Sequence, residues 1–110
     1  MSSGQRVFVT AGAERDLEEI HDYIVRGDSA RRADEIQDRL LGLIERLGDL
    51  PDRGSSPKEL ATLGIHEYRQ VILRPWRVIY RVVDASVFVL VVADGRRDMQ
   101  SLLARRLLNP

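Results

Sequence analysis

The chain has 110 residues, the length of one domain, and a chain this short buries only about 65% of the surface its unfolded form exposes. The size argues against an enzyme with a separate cofactor-binding domain, and the 44% apolar, 31% charged composition is that of an ordinary globular protein. There is no cysteine, which rules out disulfides and thiolate metal sites, and the longest apolar run, Val87 to Ala93, is far short of the roughly 20 residues a membrane span needs. Met1 to Val9 carries one charge and no apolar stretch long enough for a signal peptide, so the expected location is the cytoplasm. Net charge is formally zero, yet residues 1–60 hold 9 basic and 13 acidic side chains and residues 61–110 hold 8 and 4. The second half is therefore a candidate surface for an acidic partner.

In chain order, Arg6 to Thr10 is a short β-prone run. Ala13, Leu17, Ile20 and Ile24 recur at helical spacing, so residues 11–26 read as an amphipathic helix with Thr10 as N-cap and Gly27 as its stop. Asp28 or Ser29 caps a second helix whose Ala33, Ile36, Leu40, Leu43 and Leu47 repeat every three or four residues. The short link makes the two an antiparallel hairpin. Leu50 to Lys58, with two prolines, a glycine and two serines, is loop. Three strands follow: His66–Leu73, Trp76–Val83 and Ser86–Ala93, with Arg74-Pro75 and Asp84-Ala85 as turns. The last is apolar nearly throughout and is expected to be central and covered on both faces. Asp98 caps a final short helix with Met99, Leu102, Leu103 and Leu107. The order β-α-α-β-β-β-α predicts an α+β fold, a helical hairpin packed on a twisted, mainly antiparallel sheet, as a single domain over 1–110. Leu17, Ile20, Ile24, Ile36, Leu40, Leu43 and Leu47 are expected to face the sheet, with Val89 and Val91 beneath.

No phosphate-binding loop or dinucleotide fingerprint is present. His21 and His66 are far apart in sequence, and acidic pairs such as Glu18-Glu19 are helix neighbours that do not face each other. No metal site, cofactor or hydrolase site is expected. What stands out is a set of arginines and aromatics in the second half: Tyr68, Arg69, Arg74, Trp76, Arg77, Tyr80, Arg81, Arg96 and Arg97. Guanidinium forks bind phosphate or carboxylate, and aromatic faces stack bases or anchor a peptide. If Arg74-Pro75 is a strict two-residue turn, Arg69 and Arg77 lie on opposite sheet faces; a wider loop puts them together. Proline suits the primed turns poorly, which favours the wider loop.

Three segments carry a family resemblance. VFVTAGAERDLEEIHDYI, with its Ala-x-x-Asp-Leu-x-x-Ile helix, EYRQVILRPWRVIYRV, and GRRDMQSLLARRL occur in the order seen in the RelE/ParE superfamily of bacterial type II toxins, which the chain resembles over nearly its whole length. RelE-like members are ribosome-dependent mRNA endoribonucleases. Their arginines match Arg69, Arg77 and Arg96, but the tyrosine and histidine that assist proton transfer fall on Gln100 and Gly95, and a second basic residue falls on Val71. ParE-like members inhibit DNA gyrase and need no such site, and their longer helical hairpin matches this sequence. The resemblance therefore implies a non-enzymatic, ParE-like gyrase inhibitor of a toxin–antitoxin or plasmid-stabilisation system, with an altered RelE-like ribonuclease or a non-toxic binding member as alternatives. It implies an antitoxin partner with an acidic amphipathic C-terminal segment, no sequence-specific nucleic-acid binding and no membrane association. The residues expected to bind target or antitoxin are Arg69, Trp76, Arg77, Arg96 and Arg97.

Overall fold

The computed structural model describes residues 4–108; the first residues of the segment read for a leader lie outside the described residues. The elements run β1 (Arg6–Val9), α1 (Ala11–Gly27), α2 (Ala30–Arg46), α3 (Lys58–Ala61), β2 (Tyr68–Leu73), β3 (Trp76–Val83), β4 (Ser86–Asp94) and α4 (Met99–Leu103), which continues as a π-helical turn over Ala104–Leu108. Caps set the helix starts: the Thr10 hydroxyl accepts from the Ala13 amide, Ser29 from Arg32 and Asp98 from Ser101. Gly27 is the last residue of α1 and does not take a positive φ; Asp28 closes that helix through its amide to the Ile24 carbonyl at 2.7 Å. The one-turn helix α3 was not legible in the sequence, because four residues are too few for a helical period to register.

The sheet order is β1-β4-β3-β2, with β1 parallel to β4 and the other pairs antiparallel. The apolar strand β4 is interior to the sheet, as its composition predicts. One face carries the α1–α2 hairpin: Leu17, Ile36, Leu40, Leu43 and Leu47 pack on Val78, Tyr80, Val87 and Val89, with Ile20 and Ile24 partly buried at the margin. The other face carries α3 and α4, where Leu60, Met99, Leu102 and Leu103 pack on Tyr68, Ile79 and Val91.

Val91 thus lies on the face opposite to the one its spacing from Val89 implies, and a bulge is the reason. Ile79 pairs with Val91 while Tyr80 pairs with Val89, leaving Leu90 as an extra residue in β4. An extra residue reverses the alternation beyond it, so Val92 joins the hairpin core and Val91 and Ala93 join the other. The bulge frees backbone groups that buried side chains then satisfy. The Val92 amide donates to Asp16 Oδ2 at 2.9 Å, and Arg106 donates to the Leu90 carbonyl at 3.0 Å. Asp16 and Arg106 pair with each other at 2.9 and 3.0 Å, tying α1 to the C-terminal turn across 90 residues of chain.

A groove lined by Trp76 and the arginines after β4

The connection between β2 and β3 decides which arginines meet. Leu73 pairs directly with Trp76, so the turn is the strict two-residue Arg74-Pro75, corrected from the wider loop that proline's fixed φ suggests. The Arg74–Pro75 peptide is cis, and a cis proline takes the third position of a tight turn without needing the primed geometry. Arg69 therefore pairs with Tyr80 and Arg77 with Ile72, and the two guanidinium groups lie on opposite faces of the sheet. They form no common cluster.

Both are engaged internally. On the hairpin face, Arg69 donates to the Gly54 carbonyl at 2.7 Å and the Asp52 carbonyl at 3.3 Å. Fully buried Tyr80 donates its hydroxyl to the Pro51 carbonyl at 2.7 Å and accepts from the Gly54 amide at 3.0 Å, and burial pushes the phenol up from its ordinary pKa. Together they fasten the loop between α2 and α3, which also bridges to the edge of β2 through Ser55 and Gln70. On the other face, Arg77 makes a two-pronged pair with Glu59 of α3 at 2.8 and 2.9 Å and donates to Gln70 Oε1 at 2.7 Å. The hydrogen bonds from Arg77 hold the Glu59 carboxyl below the usual carboxylate range against the opposing effect of burial. Gly95 lies against this arginine: a Cβ there would come within 2.8 Å of Arg77 Cδ and 3.3 Å of the Pro75 carbonyl.

The remaining three expected site residues do converge. Half-buried Trp76 stands between two adjoining cavities. One, of about 300 Å³, includes Ile20, Tyr23, Val92, Asp94, Arg96 and Arg97; the other, of about 450 Å³, includes Ile24, Arg26, Arg32 and Ile36. Tyr23, Ile24 and Trp76 line both, so they form a continuous groove between α1 and the end of the β3–β4 hairpin, with an apolar floor and charged rims. On one rim, exposed Arg96 grips Asp94 at 2.6–3.2 Å and takes its amide bond to the same carboxylate. That contact lowers the Asp94 pKa and raises that of Arg96. The Arg97 side chain is exposed, with no hydrogen bond or ion pair among the described residues. Tyr23, 73% exposed on the groove wall, was missed in the sequence because its place on the helix sits outside the apolar stripe.

His21 pairs with Asp34 at 2.8 Å and links α1 to α2; no group of metal-binding side chains occurs among the described residues. No helix there is long and apolar enough to cross a membrane.

In fold the chain is similar to the chromosomal ParDE toxin–antitoxin system of P. aeruginosa (TM-score 0.71, 18% identity, 84% of this chain and 98% of that one). It is also similar to the RelBE2 toxin–antitoxin complex of Mycobacterium tuberculosis (TM-score 0.61, 19% identity, 83% and 91%) and to a double mutant of E. coli toxin RelE in the free state (TM-score 0.62, 14% identity, 94% and 98%). In sequence it is 24% identical to toxin ParE3 of Caulobacter vibrioides over 101 residues, covering 92% of this chain and 97% of that protein. Residues 7–99, from β1 to the start of α4, match the model of the ParE toxin of type II toxin–antitoxin systems, and the chain belongs to that family.

Proposed function

We propose that this toxin inhibits DNA gyrase without catalysing a reaction, that a cognate antitoxin neutralises it, and that both events take place in the cytoplasm. The observation that carries the reading is the state of Arg77. Cleavage of RNA needs cations free to meet a phosphate and groups to move protons from the 2′-hydroxyl and to the leaving oxygen. Of the three arginines at matched RelE-like positions, Arg77 is instead held by Glu59 and Gln70, Arg69 by loop carbonyls and Arg96 by Asp94. The neighbouring positions cannot supply a proton carrier. Gly95 has no room for a histidine beside Arg77, and Gln100 is an amide that reaches the Glu59 carbonyl at 3.4 Å. Arginine itself, with a pKa above 12, is a poor acid or base.

The surface we assign to partners is the groove of Trp76, Arg96 and Arg97, with Tyr23 and Ile24 on its wall. Its apolar floor suits an amphipathic segment and its arginines suit acidic side chains, the combination expected of an antitoxin tail. Arg69 and Arg77, spent on internal bonds, act through the fold.

Toeprinting of mRNA on translating ribosomes tests the non-catalytic reading. We expect no codon-specific cuts from the purified chain at concentrations that arrest growth; such cuts, with gyrase unaffected, would replace this reading with the ribonuclease one.

A further inference from the structure

On the sheet face away from the α1–α2 hairpin, the register aligns one residue from every strand. Phe8 of β1 stands beside Phe88 of β4, Phe88 opposite Arg81 of β3, and Arg81 opposite Tyr68 of β2. The two phenyl rings stack, with centroids 5.3 Å apart and planes 18° from parallel, and Arg81 lies 5.9 Å over the Tyr68 ring. Packing from α4 falls on Tyr68, Ile79, Val91 and Ala93, and the row stays open at Phe8, 42% exposed, and at exposed Arg81. A cavity of about 250 Å³ opens beside it, between Phe88, Arg81 and Leu107. The next residue of β1 on this face, Arg6, is also exposed.

Aromatic faces on an open four-stranded sheet, flanked by guanidinium groups, are what unpaired bases and their phosphates require. With strands about 4.8 Å apart, the open part of the row, from Phe8 to Arg81, spans roughly 10 Å, enough for about two splayed bases. Charge agrees. On this face Arg6 and Arg81 are exposed and neither makes an ion pair among the described residues, while the one strand carboxylate, Asp94, lies at the far end of β4 and is held by Arg96. A second copy of this chain is a poor occupant, because its matching patch is equally basic and offers the two arginines no complementary charge. We propose that this face binds single-stranded polynucleotide without reading its sequence, stacking bases on Phe8 and Phe88 and holding phosphates with Arg6 and Arg81. The surface is separate from the Trp76 groove, and the inference does not depend on the gyrase reading.

Fluorescence anisotropy with labelled ten-residue oligothymidylate and oligouridylate at low salt tests it on the full chain. We expect binding of at least one probe, with an unlabelled duplex of equal length competing weakly. Phe8→Leu, which keeps the apolar packing and removes the π face, should weaken binding by roughly ten-fold, the loss of one base–aromatic stack, and Phe8→Trp should restore it. Arg81→Ala should weaken binding and flatten its salt dependence. The double variant Arg96→Ala, Arg97→Ala should bind as the parent does. A preference for uridylate or thymidylate supports the proposal and identifies the source as RNA or DNA. The proposal is overturned if neither probe binds, if duplex competes as well as single strand, or if Phe8→Leu binds unchanged while circular dichroism reports the native fold. It is also overturned if sedimentation shows a dimer that Phe8→Leu dissociates.

Discussion

A guanidinium with nine-tenths of its surface buried stays charged only if its surroundings replace water, and around Arg77 they do so completely enough to make it a structural part. Glu59 supplies the charge and accepts from both terminal nitrogens, and Gln70 accepts from Nε. The lowered Glu59 pKa fixes the sign of its pH dependence. The pair stabilises the fold fully above the ordinary carboxylate range near 4.5, and the contribution is lost as pH falls through the depressed folded-state value. Glu59→Gln should therefore cost about 1–3 kcal/mol at neutral pH and flatten the loss of stability below about pH 4.5, both read from urea midpoints across a pH series. Crowding at Gly95 gives a second expectation. Gly95→His would drive its side chain into Arg77, costing about 1–3 kcal/mol by overpacking, and the variant should show no gain of RNA cleavage. That Arg69 and Arg77 are internal ties was not legible in the strands. A charged residue in an apolar run reads the same whether its partner is a ligand or a distant carboxylate, and Glu59 lies in a stretch with no periodicity to place it.

Helices and strands were legible wherever the apolar period was long enough, as in α1, capped by Thr10 as its sequence predicts, and α2, capped by Ser29, one of the two candidates. Leu40, almost wholly buried between α2 and the sheet, should cost about 2–5 kcal/mol when truncated to alanine; a loss below about 0.5 kcal/mol would mean the helix presents another face. The bulge at Leu90 was not legible, because every residue from Val87 to Ala93 is apolar and a run without polar markers does not show where alternation slips. Its price is met from outside the strand, by Asp16 and Arg106. Arg106→Ala would leave the largely buried Asp16 without its cation and should lower stability by about 3 kcal/mol, measurable as a shift in denaturant midpoint with an unchanged slope.

Across the whole molecule, the acidic first half and basic second half meet at the Trp76 groove, where α1 contributes Glu19 and Tyr23 and the segment after β4 contributes Arg96 and Arg97. The asymmetry was visible in the sequence, and so was the importance of Trp76; the groove was not, since it exists only when α1 lies beside the end of the β3–β4 hairpin. An acidic antitoxin tail entering it should associate faster at low salt, and stopped-flow rates that do not change between low and physiological ionic strength would place the interface away from this rim. The central claim is that this rim carries action on gyrase without catalysis. Gyrase supercoiling of relaxed plasmid, titrated with the parent chain and with Arg96→Ala, Arg97→Ala, tests it most directly. The account predicts inhibition by the parent and its loss in the double variant, with thermal stability of the variant within a few degrees because neither side chain is buried. Undiminished inhibition by the variant, or a parent chain that leaves supercoiling untouched, would contradict it.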